Sequence, residues 1–553
     1  MEQADSKNRS YAVGVQEFDW IRKRKAPYVD KTAYVYKMVS TNATNFFLSR
    51  PRRFGKSLLV DTLRCYFEGR KELFEGLAIY DMEKEWKKYP VIRLDLSNGK
   101  YYDKDLVHGT INTILKKQEK IFGITVSDDS ANYDSRMTDL IEAAYNQTGE
   151  RVVVLIDEYD APMLDSVNDP DLQDYIRNRI RSLFSPLKSQ SQYLRFVFLA
   201  GISKFSQLSV FSELNNLQQL TFNPEYEGIC GITEEELLTQ MKPDIELLTE
   251  KMNRLYRRWN IHYEYDDVVE SLKKMYDGYH FTKEMTDVYC PWSLLNAFAM
   301  GDIEPFWFST GTPTMLVNVM RQHNISMHQL ESLYAPLGRF DAPTERISDP
   351  IPVLFQSGYL TLKGYNPVDK EYELGFPNVE VREGFATSLY KYYMEDYVGS
   401  QEALGQGFKR LYRKEIDIEQ FVELIRQWYA GIPYSITDQN QNEQLYQSLI
   451  YSALIAFGAD VQAEDQTSDG RMDIALKLQD VIYIIELKYN KTADEAVNQI
   501  LKKDYAVRFA HDSRRIVAVG LNISQNRRTI DQYRICEVKD EGGGEFLHGK
   551  QND

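Results

Sequence analysis

The chain has 553 residues, and its 82 acidic against 66 basic side chains give a formal charge of −16. That balance opposes generic coating of nucleic acid, so any such contact must use local basic patches. Hydrophobic content of 43% and aromatic content of 13% are ample for packed cores, at a length that divides into two to four domains. No run approaches the roughly 20 apolar residues of a membrane helix. The polar start MEQADSKNRS lacks the apolar stretch of a secretory signal. Cys65, Cys230, Cys290 and Cys536 lie far apart with no C-x-x-C pair. They argue against a zinc site or a disulfide framework and predict a reducing, cytoplasmic setting.

Four apolar runs, at 45–49, 91–96, 152–156 and 195–200, alternate with helix-compatible stretches in the first 230 residues. Continuous apolar strands of this kind predict a parallel sheet covered on both faces, with ligands bound at the strands' carboxyl ends. The first run leads into Arg50-Pro-Arg-Arg-Phe-Gly-Lys-Ser57, after which a helix opens. Strand, tight loop and helix form the layout that aims backbone N–H groups and a helix dipole at a phosphate. Arg53 and Gly55 then belong to the loop, Lys56 reaches the β- and γ-phosphates, and the Ser57 hydroxyl holds Mg²⁺. Arg50 stands where the usual G-x-x-x-x-G-K-[ST] pattern has its first Gly.

The third run ends in Asp157-Glu158. Two carboxylates at the end of a buried strand complete a nucleotide site, Asp157 holding Mg²⁺ and Glu158 polarising the attacking water. Acidic residues also end strands simply because the chain meets solvent there. The order of the two half-signatures, each after an apolar strand, favours nucleotide binding. Ser203, after the fourth run, is the candidate for sensing the γ-phosphate. Arg177, Arg179 and Arg181 are candidates for an arginine finger acting in trans.

The segments RPRRFGKS, LIDEYDAP, GISKFS, FSELNNL and GITEEEL resemble the bacterial AAA-ATPase-like family, whose members often carry a restriction-type nuclease domain. The resemblance implies an ATPase core of the additional-strand, catalytic-Glu type, and a family that tolerates Arg at the first P-loop Gly. It also implies a helical lid and a winged-helix-like region in the middle of the chain.

Thr233 to Glu236 reads as a capping box with an acidic first turn. A further helix is expected from Gly311, and 353–362 reads as a strand or a helix-to-strand turn. Tyr276, Tyr279 and Phe281 fit core packing better than base stacking. Residues 377–385 lead out of this region towards helices.

Residues 471–488 hold two apolar runs around Gln479-Asp480, a predicted β-hairpin although that pair is not a favoured turn. Pairing Leu478 with Val481 sets Asp473 opposite Glu486, where Cα atoms approach about 4.5 Å. Asp473, Ala475, Ile482, Ile484, Glu486 and Lys488 then share one face. Opposed carboxylates repel unless a hard cation such as Mg²⁺ binds both, and Lys488 projects beside it to stabilise charge on a scissile phosphate. The bland alternative is a surface hairpin with a Glu486–Lys488 ion pair.

These residues resemble the PD-(D/E)xK nuclease superfamily, which implies Mg²⁺-dependent phosphodiester hydrolysis by Asp473, Glu486 and Lys488. By the same resemblance Glu443 is an auxiliary acid and Gln499 the glutamine some members carry. The expected architecture is α/β. A P-loop NTPase domain spans 1–230, a helical lid and winged-helix-like region 231–380, and a helical connector 381–435. A restriction-endonuclease-like domain at 436–540 and a flexible tail at 541–553 follow. The expected ligands are ATP, Mg²⁺ and nucleic acid, DNA first, with no membrane partner and an undetermined subunit number. Two functions fit: an ATP-binding, ATP-hydrolysing protein coupled to a Mg²⁺-dependent nuclease, or a nucleotide-gated interaction protein without turnover.

Overall fold

The four apolar runs of the first 230 residues become β1 (Asn45–Ser49), β2 (Val91–Asp95), β3 (Val152–Asp157) and β4 (Leu194–Gly201). With β5 (Leu217–Gln219) they make an all-parallel sheet in the order β2-β3-β4-β1-β5. β4 is thus inserted between the P-loop strand and the acidic strand, which is the additional-strand arrangement. β3 is buried along its whole length because helices cover both faces.

The computed structural model describes residues 9–538 and 545–551, apart from 98, 125–131, 167–168, 204–216, 311–326, 343–348, 394–397, 433–442, 463–473, 504, 506–508, 510 and 526–528. It divides into one unit of Met1–Ser309 with Tyr334–Val379 and another of Thr310–Leu333 with Glu380–Asp553. The helix expected at Gly311, the second half of GISKFS, all but the last residue of FSELNNL, and Asp473 lie outside the described residues.

Beyond the parallel sheet, the first unit continues with β6 (Ile232–Thr233) paired antiparallel to β7 (Val288–Tyr289). Thr233 and Glu236 form the expected capping box at the start of the helix Glu234–Gln240. That helix packs with Lys242–Tyr256, Tyr265–Tyr276 and Pro291–Met300 around Leu237, Ile245, Leu272 and Leu294. Tyr276, Tyr279 and Phe281 are buried, the latter two lying edge-on against Phe54 of the P-loop. Residues 353–362 are a helix-to-strand turn, the end of Ile351–Gln356 running into β9 (Thr361–Asn366). β9 joins β8 (Leu333–Pro336) and β10 (Glu371–Gly375) in the order β8-β10-β9. The segment 377–385 leads out as the start of the helix Val379–Tyr393, where the units divide.

The second unit is built on a six-stranded sheet ordered as the chain runs. Its strands are β11 (Asp460–Gln462), β12 (Ile474–Lys477), β13 (Val481–Tyr489), β14 (Arg515–Ser524), β15 (Thr529–Glu537) and β16 (Glu545–Gln551). The stretch expected as a tail therefore supplies an edge strand. β12 and β13 pair as the hairpin, with Ile474 opposite Ile485 and Lys477 opposite Ile482, the register that a Leu478–Val481 closure requires. β13 and β14 are parallel, connected through the helix Ala493–Lys502. This is not a surface hairpin: β13 is buried over eight consecutive residues.

Gly520, opposite Glu486 on β14, lets that helix settle on the sheet. A Cβ there would lie 2.4 Å from the Ala493 carbonyl oxygen and 3.0 Å from the Val497 nitrogen. Backbone cannot yield as a side-chain tip can, so Gly520→Ala should destabilise the helix contact by about 2 kcal/mol. Amide exchange over 493–502 should then accelerate about 30-fold; unchanged protection would show that the helix tolerates the methyl group.

Candidate active sites

Gly55 adopts a left-handed conformation (φ 92°) and caps the helix Lys56–Phe67, turning the loop so that Lys56 and Ser57 open the first helical turn. Lys56, 3% exposed, donates its ammonium to the carbonyls of Arg50 (3.1 Å) and Pro51 (3.2 Å) and pairs with Glu158 at 3.4 Å. The Ser57 hydroxyl hydrogen-bonds the Asp157 carboxylate across the strand ends. Lys56, Ser57, Asp157 and Glu158 are therefore brought together at the carboxyl edge of the sheet. Burial, with Glu158 adjoining, pushes the Asp157 carboxyl up to about 6.

Two of the loop arginines are occupied structurally. Arg50 is 1% exposed, and its guanidinium donates to the carbonyls of Ser49 (3.0 Å), Thr221 (2.9 Å), Tyr226 (3.4 Å) and Glu227 (3.5 Å) over the Phe281 ring. It fastens the start of the loop to the segment after β5. Arg53, left-handed at φ 71°, sends its guanidinium to the carbonyls of Phe306 and Trp307 and over the Trp292 ring. Its side chain thus braces the loop.

Ser203 is buried just past β4, and its backbone N–H donates to Asp160 Oδ2 at 2.6 Å. Ile202 N–H donates to the same oxygen at 2.9 Å, and the Tyr159 hydroxyl donates to the Ser203 carbonyl at 2.6 Å. Asp160 is wholly buried, and desolvation raises its carboxyl. It belongs to the LIDEYDAP segment, but nothing in the strand pattern marks it as a brace between β3 and β4. Beside Lys56 and Ser57 opens a cavity of about 340 Å³ lined by Val15, Tyr28, Leu58, Ile229 and Trp292 among others. Its walls come from several distant stretches of chain, around residues 12–31, 52–62, 229–241 and 291–295 together with Glu158, so sequence periodicity could not assemble it. Its size and apolar lining suit a nucleoside.

In the second unit β13 carries Glu486, wholly buried, and Lys488, 6% exposed. The Lys488 ammonium donates to Glu486 Oε1 at 3.0 Å, to Glu443 Oε1 at 3.1 Å and to the Leu487 carbonyl at 3.1 Å. Glu443 begins the helix Glu443–Ala456, so the three candidates converge from a strand and a helix distant in sequence. Gln499, on the helix Ala493–Lys502, hydrogen-bonds the Tyr505 hydroxyl at 3.4 Å. That helix packs on the strand face carrying Ala475, Ile482 and Ile484.

A P-loop beside an inserted strand, with an acidic strand end across it, defines an ATPase-type domain. A mixed sheet carrying a buried Glu-x-Lys on its central strand defines a nuclease-type domain. The family model described as "Predicted AAA-ATPase" matches residues 12–211, and that of the PD-(D/E)XK nuclease superfamily matches residues 441–533. An "Uncharacterized protein in vnfD 5'region" of Azotobacter chroococcum mcd 1 is 32% identical over 532 residues, 94% of this chain and 97% of that protein. The chain belongs to the predicted AAA-ATPase family and carries a C-terminal domain of the PD-(D/E)XK nuclease superfamily. Among the described residues no helix is long and apolar enough to cross a membrane.

Restoring the usual glycine at position 50 should not improve nucleotide binding. Arg50→Gly strands buried carbonyls and opens a void under Phe281, so it should cost about 2–4 kcal/mol of stability. Denaturant titration of the variant checks this, and unchanged stability would remove Arg50 from its bracing role.

Proposed function

We propose that the chain hydrolyses ATP in its N-terminal unit and uses that cycle to control Mg²⁺-dependent cleavage of DNA by its C-terminal domain. The observation that carries this most directly is the cluster of buried Lys488 and Glu486 with the half-buried Glu443. Packing alone gives no reason to bury an ammonium and a carboxylate at a central strand, whereas phosphodiester cleavage needs both. The superfamily match supports nucleic acid as the substrate.

In the ATP site, the all-oxygen pair of Ser57 and Asp157 suits Mg²⁺, which when bound neutralises phosphate charge. Lys56 exchanges its loop carbonyls and Glu158 for phosphate oxygens. Glu158, released, orients the attacking water. Arg53 and Gly55 shape the loop, and Ser203 reports the γ-phosphate through the Asp160 brace. In the nuclease site Asp473 and Glu486 would supply oxygen ligands to a metal, with Glu443 as auxiliary acid. Lys488 holds the developing charge on the phosphate, and Gln499 steadies the helix face beside it.

The Lys56–Glu158 pair also favours a second function, a nucleotide-gated binding protein, because it ties the acidic residue to the loop lysine. The two are separable. Lys56→Ala should abolish thermal stabilisation by ATP, which is worth about 2.7 kcal/mol at a hundredfold excess over Kd. Glu158→Gln should keep that stabilisation and lose phosphate release. Glu486→Ala should lose metal-dependent plasmid nicking while retaining ATP hydrolysis. Wild-type protein that releases no phosphate and nicks no DNA with Mg²⁺ or Mn²⁺ would leave the binding function in its place.

Protons compete with Mg²⁺ at Asp157. With that carboxyl titrating near 6, affinity for Mg²⁺·ATP should rise about tenfold from pH 5 to pH 7 and then level. In the ligand-free protein the sign is opposite. The folded state holds this proton more tightly than the unfolded chain, so the stabilisation is present at low pH and lost as pH rises towards 6. Asp157→Asn should remove both dependences, as read by calorimetric titration and thermal melting across that range.

A further inference from the structure

The helix Lys242–Tyr256 buries one face through Ile245, Leu248 and Met252, then ends in a ridge that neither active site uses. From Arg254 to His262 every side chain except the half-buried Tyr256 is exposed. Arg254, Arg257 and Arg258 lie there within about one helical turn, beside Leu255, Trp259 and Ile261, which are 49%, 52% and 44% exposed. A helix carboxyl end favours cations. That gives no reason to hold an indole and two aliphatic side chains in water next to three of them.

The ridge is held in one shape. The Asn253 amide donates to the Tyr263 carbonyl at 2.9 Å, and its oxygen accepts the Tyr263 N–H at 2.8 Å. Between them Asn260, left-handed at φ 58°, turns the chain. The Tyr256 ring lies 6.0 Å from that of Trp259 and is anchored through its hydroxyl to the Asp302 carboxylate at 2.9 Å. The Arg258 guanidinium lies over the Trp259 ring, 3.7 Å from its centroid. Elsewhere in this unit guanidinium groups are spent internally: Arg22 and Arg195 on carbonyls, and Arg64, Arg93 and Arg136 on carboxylates. Arg254 and Arg257 have no such partner among the described residues, and Arg258 has the indole alone. Of the acids nearby, Asp302 is taken by Tyr256, and Glu264 lies 3.2 Å from His262 Nε2.

We propose that residues 254–262 are a single-stranded nucleic-acid contact of the ATPase unit, in which a base stacks against Trp259 and Arg254, Arg257 and Arg258 take neighbouring phosphates. Every base has a π-face and every backbone its phosphates, so such a contact holds a strand without reading its sequence. It supplies the local basic patch that a chain of charge −16 needs in order to bind nucleic acid at all. A membrane surface would call for a continuous apolar face, and this helix commits its own to Ile245, Leu248 and Met252 in the core. The contact rests on nucleic acid being the substrate proposed above and not on turnover at either active site.

The test uses the full-length Glu486→Ala chain, chosen so that the probe stays intact, and reads the fluorescence anisotropy of a labelled single-stranded oligonucleotide of about 15 nucleotides. Trp259→Ala should weaken binding about tenfold, and Trp259→Phe, which keeps a ring, should stay within about twofold of the parent. Arg254→Gln, Arg257→Gln and Arg258→Gln together should weaken binding and lower the slope of log affinity against log salt by about 2. Affinity unchanged by Trp259→Ala, or a salt slope unchanged by the three Gln substitutions, would overturn the proposal. So would Trp259-dependent sedimentation with anionic phospholipid vesicles in place of oligonucleotide binding. Plasmid nicking by the wild type is scored separately. If nicking persists while Trp259→Ala leaves the anisotropy unchanged, this contact falls and the proposed nuclease stands; if Trp259-dependent binding persists without nicking, the contact stands alone.

Discussion

The turn after β3 can close against the end of β4 only because residue 201 carries no side chain. A Cβ at Gly201 would lie 2.5 Å from the Tyr159 ring and 2.6 Å from Asp160 Oδ1. Across that gap Asp160 takes the N–H groups of Ile202 and Ser203, and Tyr159 takes the Ser203 carbonyl. This latch fixes where Asp157 and Glu158 leave the sheet, and so where Ser57 and Lys56 find their partners. Glu158 itself sits at a positive φ of 47°, a strained backbone that only an over-determined turn maintains.

Both units bury charge in the same manner. A strand ends in ionisable groups, and a partner reaches them from another element: Lys56 for Glu158, and Glu443 for the Glu486–Lys488 pair that β13 itself carries. Taking such groups out of water is expensive, and attraction in the low-dielectric interior offsets it only when partners are complete. The sheet therefore holds pre-positioned charges that no packing requirement explains. On the proposed function, a substrate phosphate would exchange one set of ionic partners for another instead of desolvating new ones. The loop arginines show the opposite use of charge. Arg50 and Arg53 spend their donors on backbone carbonyls, so the loop's rigidity comes from guanidinium groups in place of the small residue the usual pattern would have there.

The sequence by itself determined four of the five parallel strands, the β12–β13 hairpin with its register at 478–481, and the capping box at Thr233. Each follows from local rules: apolar periodicity, a side-chain oxygen near free N–H groups, and a two-residue turn that leaves only one pairing. Lys56, Ser57, Asp157, Glu158, Glu486 and Lys488 were legible for the same reason, since each sits at a set distance from the end of an apolar run. Only the tertiary structure decided what those ends face. The bracing role of Arg50, the Asp160 latch and the cavity walls at Val15, Ile229 and Trp292 all join residues tens to hundreds of positions apart. No local periodicity encodes such meetings, because packing and the pairing of buried charge select them once the strands are in place.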